Sequence, residues 1–491
     1  MIAPRDPMRR VVVVGGGQLG VLAAIALRRA LPVCQVVVVG QLPSPASFAD
    51  WSPTALPFTN KLHDRLGVAE DAIVLRAGGS HRLVTRYLGW GGEGQAGVLA
   101  YGETLDPALK TAFARDWGGG RQHPGGPRPA GSVAEALADA GRFAPPPPDQ
   151  QTPLSDIDYS LRWNAQAYRG LLIEQAQALG VDYVEGEIDR VEPGEGDAIR
   201  AVGLAGQGEI EADFFVDCSG PQARLLASHP QFAMVDWSAS LPTRKVYVSQ
   251  PGAPMAALED RVSLLAEGWL VEIAGRDGLY RLLGTSEEVS RDAALQALGA
   301  PAAAVVALEP GRVVAPWLGN VVALGDATAR FEPIGPWHLD LAHRQLDLLL
   351  EMLPGRQIVP LERAEYNRRS MLMMEGVHET LSLHFASDRG LAVFGDCALP
   401  NRLGEVIDQC RRRGRIPFRE EQPLVPQEQF ALMAALGFKP GLPPVALSGD
   451  RPLEDRAKEG FAVRSTQALQ FAPPYERWLA TMLQPSRSPA G

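Results

Sequence analysis

Cysteine is scarce: Cys34, Cys218, Cys397 and Cys410 are the only four in 491 residues, and they are widely scattered. No CxxC pair occurs and no Cys/His cluster has zinc spacing, so a disulfide framework and a structural metal are both excluded, and no metal site is expected. Such sparse thiols suit a reducing compartment, and a cytoplasmic location is the simplest expectation. Long hydrophobic runs are also missing. No window reaches ~18 uninterrupted apolar residues, so no membrane span is expected. The opening MIAPRDPMRR is basic but runs into VVVVGGGQLG rather than into an apolar leader with a cleavage site. Positive charge is in deficit, at −10 net. That balance argues against nucleic acid or an anionic membrane as the main partner.

Glycine and proline, by contrast, are plentiful: 51 and 41 residues, close to a fifth of the chain against a usual ~12%. They concentrate in residues 118–150, which include four consecutive prolines and read as a surface insertion with a short helix near Val133–Ala140. Elsewhere the pattern alternates. Val11–Val14 reads as a strand buried on both faces, Leu19–Leu31 as a helix and Val36–Val39 as a second strand. A helix is expected over Asn164–Leu179, stopped by Gly180. Strands follow to Val216, and a β-rich region runs from about 243 to 316. A further apolar strand covers Val321–Leu324, and the chain from Leu339 onward is mainly helical.

Three segments carry the chemistry. Gly15, Gly17 and Gly20 stand in GxGxxG spacing between a strand and a helix. They permit a tight turn and close approach to a pyrophosphate, which the helix N-terminus then binds. The acid usual at the end of the second strand is absent; Gln41 stands there as the candidate ribose partner. The second segment, NVVALGDATARFEPIG, places Gly325-Asp326 after an apolar strand some 300 residues later. By itself a Gly-Asp pair is more often an ordinary strand end. In second position after a glycine motif it favours FAD over NAD, with Asp326 accepting from the ribityl chain and Pro333 in the following loop. The third, ADFFVDCSG, is a buried strand between the other two.

With these residues in this order the chain resembles the flavin-dependent tryptophan halogenase family. YSLRWNAQAYRGLLIEQAQALGV, ADFFVDCSG, GRVVAPWLGNVVALGDATARFEPIGPWHL, ERAEYNRRSM and VHETLSLHF carry the likeness, which spans most of residues 10–390. The resemblance implies an α/β, two-motif FAD-binding (Rossmann-like) flavoprotein monooxygenase fold with an interleaved β-rich substrate region and a helical C-terminal part. The flavin domain is then expected in three pieces, 1–117, 151–235 and 317–390, around the 118–150 insertion and a 236–316 substrate region, with 391–491 on the substrate side. The family's chemistry implies FAD reduced by a separate flavin reductase, O₂, chloride or bromide, and a small aromatic substrate such as an indole. Hypohalous acid formed at the flavin crosses a tunnel to that substrate. Family members usually form dimers, which implies a homodimer.

The departures fall on the family's catalytic positions. Its Phe-Lys pair is His81-Arg82 here, with Arg86 and Trp90 in register. Arg82 is the candidate for positioning the oxidant, although an arginine stays protonated and is a poor nucleophile. His81 and Trp90 are the candidate substrate-side neighbours. The family's Pro-Leu-Glu-Ser-Thr becomes Pro333-Ile334-Gly335-Pro336-Trp337, so Gly335 replaces a catalytic glutamate. His338 lies next to that loop and is a further substrate-side candidate. The Trp-x-Trp-x-Ile-Pro signature, thought to deter ordinary monooxygenation, appears as Trp269-Leu270-Val271-Glu272-Ile273-Ala274. Three readings stay open: a divergent halogenase, a flavin monooxygenase or oxidase that needs no halide, and a flavin-binding homologue without turnover.

Overall fold

The computed structural model describes residues 6–92, 94, 96–102, 131–441 and 451–484. Residues 118–130 of the Gly/Pro-rich insertion lie outside that set. Its remainder holds a helix, Val133–Asp139, whose first turn is capped by Ser132 Oγ accepting from the Glu135 N–H at 3.0 Å.

The run Val11–Val14 is apolar throughout because both of its faces are covered. It forms the strand Arg10–Val14 at the centre of a six-stranded sheet. The strand order is Trp317–Leu318, Val321–Ala323, Phe214–Asp217, Arg10–Val14, Gln35–Val39, Asp182–Val184. All neighbours are parallel except the Trp317–Leu318 edge. Val11 and Val13 face a core built with the Gln18–Ala30 helix, while Val12 and Val14 face a second cluster with Val202, Leu204 and Phe215. That second face is roofed by an antiparallel meander, Ile188–Pro193, Ile199–Leu204 and Gly208–Glu211. The helix Ala165–Ala178 packs on Gln18–Ala30. Asn164 Oδ1 caps its start by accepting from the Ala167 N–H at 2.8 Å, and Gly180 ends it at φ +81°.

A second, seven-stranded sheet takes Ala302–Ala307, Lys245–Ser249, Tyr280–Thr285, Trp269–Ile273, Glu259–Leu264, Val84–Leu88 and Ala96–Ala100 in that order. Its last two strands come from the first 117 residues. Val84–Leu88 pairs in parallel with Glu259–Leu264, Val84 opposite Glu259, while every other pair in this sheet is antiparallel. The small ladder between Ser80–Arg82 and Ser160–Arg162 lies just ahead of that crossing. Helices dominate the C-terminal part: Trp337–Glu351, Pro360–Phe385, Asp388–Phe394, Asn401–Arg413, Pro426–Ala435, Arg451–Phe471 and Tyr475–Met482. Among the described residues no helix is long and apolar enough to cross a membrane.

Candidate functional site

The glycine turn is shaped by close approach. Gly15 sits at φ +134°, and a Cβ there would lie 2.3 Å from the Cys218 carbonyl oxygen. Its N–H donates to the Val39 carbonyl at 3.1 Å, which ties the turn to the second strand. A Cβ on Gly20 would meet the Gly15 carbonyl oxygen at 2.0 Å, so the Gln18–Ala30 helix packs directly on the turn. Over Gly17 stands a carboxyl group that sequence reading had not singled out. Asp50, on the short helix Phe48–Trp51, accepts from the Leu19 N–H at 3.0 Å in the first turn of the Gln18–Ala30 helix. Burial, with Asp326 nearby, pushes its pKa up to about 7. No local signal in the sequence marks Asp50, because its role depends on a helix 31 residues away.

Arg169 covers the other side of the turn. Its Nε donates to the Gly16 carbonyl, and its Nη2 to the Tyr183 hydroxyl at 2.9 Å. Gln41 lies where the spacing places it, with its carbonyl accepting from the Gly16 N–H at 2.7 Å. Its Oε1 is buried and has no protein partner, which leaves an acceptor for a ribose hydroxyl.

The second motif arrives beside the first because Val321–Ala323 neighbours Phe214–Asp217, which neighbours Arg10–Val14. Asp326 Oδ2 accepts from the Ala49 N–H at 2.7 Å, and its Oδ1 meets His338 Nδ1. His338 Nε2 donates to the Phe331 carbonyl at 3.0 Å, and its ring stacks on Phe331 at a 3.9 Å centroid distance. A carbonyl only accepts, so Nε2 carries a hydrogen. A cleft of about 290 Å³ opens here, lined among others by Ser44, Phe48, Gln222, Asp326, Arg330 and His338.

In the loop between, Gly335 adopts φ +88°, and a Cβ there would lie 3.4 Å from Trp337 Nε1. That indole N–H is buried and has no partner. Two residues before Gly335, Pro333 follows a buried carboxyl, Glu332. Its Oε1 accepts from the Thr243 N–H at 3.2 Å, and its Oε2 has no partner. Burial raises its pKa to about 7. Thr243 Oγ1 accepts from Trp269 Nε1 at 2.9 Å, so the loop is joined to the seven-stranded sheet.

The candidates Arg82, His81 and Trp90 are not among the residues that line the cleft. Arg82 is buried: Nε donates to Ser160 Oγ and Nη1 to Thr85 Oγ1, both at 2.9 Å, and Nη2 to the Ala55 carbonyl. Asp260 Oδ2 lies 3.4 Å from Nε, and the Tyr101 ring covers the guanidinium at 5.1 Å. His81 sits in an aromatic box of Phe143, Tyr159, Tyr475 and Trp478. Its Nε2 bonds Glu70 at 2.9 Å and its Nδ1 the Tyr475 hydroxyl at 3.0 Å. Trp90 is enclosed, with Nε1 donating to the Val262 carbonyl at 3.1 Å and its ring edge-on to His384. The structure thus brings Gly15, Gly17, Gly20, Gln41, Gly325, Asp326 and His338 together around one side of the six-stranded sheet. Arg82, His81 and Trp90 are buried and do not line that cleft.

The tryptophan halogenase family model matches residues 10–445. The chain belongs to the tryptophan halogenase family. It is 24% identical over 413 residues to the tryptophan 7-halogenase RebH of Lentzea aerocolonigenes, covering 77% of this chain and 76% of that one. Among solved structures, BrvH, a flavin-dependent halogenase from Brevundimonas sp. BAL3, superposes with a TM-score of 0.85 at 23% identity, over 97% of this chain and 99% of that one. Xcc4156, a flavin-dependent halogenase from Xanthomonas campestris, gives 0.86 at 23% identity over 99% and 100%. These likenesses fix the fold as the FAD-binding, Rossmann-like α/β type.

Proposed function

We propose that this halogenase-family chain is an FAD-dependent oxidoreductase that uses O₂ and chloride or bromide to modify an indole or other small aromatic substrate. The observation that carries the reading is that two motifs, some 300 residues apart in the chain, meet at the Phe48–Trp51 helix, where Asp50 accepts from Leu19 and Ala49 donates to Asp326. The residues present fit FAD: a turn with no room for side chains at Gly15 and Gly20, an unpartnered Gln41 Oε1 and the Asp326–His338 pair. When bound, flavin reduced by a separate reductase supplies the activation of O₂ that halide oxidation needs.

The chain's own residues then have separable tasks. The first turn of Gln18–Ala30 binds pyrophosphate through its N–H groups, with Arg169 close by as the balancing cation. Gln41 takes a ribose hydroxyl. Asp326 and His338 line the cleft and are bonded to each other through Oδ1 and Nδ1. Glu332 holds a proton at Oε2 inside the loop, where burial keeps it half protonated near neutrality. Phe331 and Trp269, both buried, keep water out.

One observation favours a second reading, oxygenation without halide. Arg82 is wholly engaged by Ser160, Thr85, Ala55 and Asp260, and Gly335 has no carboxylate, so neither supplies a mobile group for hypohalous acid. A product assay by mass spectrometry, with reduced FAD, O₂ and an indole panel, run with bromide and with no halide, separates the two. Brominated product supports the first reading. Oxygenated product in both runs replaces it with the second. Flavin binding with no product in either run sinks both.

A further inference from the structure

The ladder between Ser80–Arg82 and Ser160–Arg162 has an unusual composition. Ser80 stands opposite Arg162 and Arg82 opposite Ser160. Directly opposed residues in an antiparallel pair, and residues two apart on one strand, leave the same face. Two guanidinium groups and two hydroxyls therefore share one small buried surface.

A single carboxylate serves both arginines. Asp260 Oδ1 is 3.0 Å from Arg162 Nη1, and its Oδ2 is 3.4 Å from Arg82 Nε. The remaining guanidinium contacts go to neutral groups: Arg82 to Ser160, Thr85 and the Ala55 carbonyl, Arg162 to the carbonyls of His81, Ala257 and Glu259. Other charges nearby engage other groups: His81 alternates to the opposite face of the ladder, where Glu70 accepts from the Tyr159 hydroxyl and bonds His81 Nε2. The Glu259 carboxylate pairs with Arg86 and Arg261, and Arg276, which donates to the Gly79 carbonyl, has Asp277 beside it. The buried cluster is left with one positive charge in excess, and a guanidinium cannot shed its proton to relieve it.

Two buried polar groups on this face also lack partners: Ser80 Oγ and Arg162 Nε. They belong to the directly opposed pair. An unmet buried donor costs ~1–3 kcal/mol, so a non-protein acceptor is called for. We propose that Ser80 Oγ and Arg162 Nε bind a small monovalent anion, chloride or bromide, which neutralises the Arg82–Asp260–Arg162 cluster. Water would satisfy the donors but not the charge. A divalent or large anion would overcompensate and would not fit beside side chains already enclosed. The ion's role is to hold the ladder that fixes Arg82, and the inference stands apart from the flavin reading.

Crystals of the full chain grown in sodium bromide, measured at the bromine absorption edge, are expected to show an anomalous peak within hydrogen-bond distance of both groups. A water there instead, or no peak, overturns the proposal. In solution, bromide should raise the thermal midpoint more than gluconate does at equal ionic strength. Ser80→Ala should weaken the bromide dissociation constant about tenfold, the scale of one lost hydrogen bond to an ion. A bromide effect unchanged in that variant places the ion elsewhere and overturns the proposal. If Ser80→Ala fails to fold, the anomalous map of the native protein still decides.

Discussion

Trp337 turns its indole nitrogen toward Gly335, 3.4 Å from the point where a side chain on that glycine would begin. The space and the backbone conformation are both set for glycine, since φ +88° is a region that other residues rarely adopt. Placing a carboxylate side chain here therefore has a structural cost. Gly335→Glu is expected to destabilise the protein by about 1–2 kcal/mol, read as a lower denaturation midpoint, and not to raise product yield. An unchanged midpoint with increased halogenation would show that the loop readily accepts the acid.

Arg82 and Asp260 respond unequally to removal. Asp260→Asn leaves two buried guanidiniums with no carboxylate and should cost about 3–5 kcal/mol. Arg82→Met leaves the Arg162–Asp260 pair intact and should cost clearly less. Urea unfolding of the two variants side by side checks the order; a larger loss in Arg82→Met contradicts it.

Asp326 anchors Ala49 and His338 at the rim of the cleft. Asp326→Ala loses both contacts, and FAD affinity should fall at least tenfold. Asp326→Asn can still accept from the Ala49 N–H and donate to His338 Nδ1, so its loss should be smaller. Quenching of flavin fluorescence measures both. Equal losses would mean that the charge, not the hydrogen bonds, matters to the cofactor.

Two buried acids give stability a component that falls as pH rises. Asp50 and Glu332 have folded-state pKa values near 7, raised by burial, against ordinary values near 4. Between about pH 4 and pH 7 these two groups hold protons in the folded chain that they have released in the unfolded one, and each contribution falls by up to about 1.4 kcal/mol per pH unit. Four buried histidines with lowered pKa values, His63, His343, His378 and His384, act in the opposite sense. The test is therefore a difference between proteins: the stability of the parent relative to Glu332→Gln, read from urea midpoints, should be greater at pH 5.5 than at pH 8. A Glu332→Gln profile parallel to the parent's would remove Glu332 from the account.

Much of the flavin half was legible in the sequence because its signals are local. A four-valine run, three glycines at fixed spacing and a helix bounded by Asn164 and Gly180 each state their structure within a few residues. What was not legible depends on distant partners. The place of Val84–Leu88 in the seven-stranded sheet depends on Glu259–Leu264. Arg82 was singled out from the sequence by resemblance, whereas its engagement with Thr85, Ser160 and Asp260 depends on the fold. Asp50 and Glu332 look like ordinary surface acids until the fold encloses them.

The Tyr475 hydroxyl accepts from the His81 N–H at 2.7 Å and meets that residue's Nδ1, a contact across 394 positions of chain. During synthesis at ~5–20 residues per second, the histidine leaves the ribosome roughly 20–80 s before the tyrosine that completes its box. Until then the strand bearing Arg82 must wait with an exposed aromatic socket. A translating cell would meet this chain, for the roughly 7–27 s between His338 and Tyr475 at that rate, as a finished flavin motif attached to an open box, with a late segment serving as the latch.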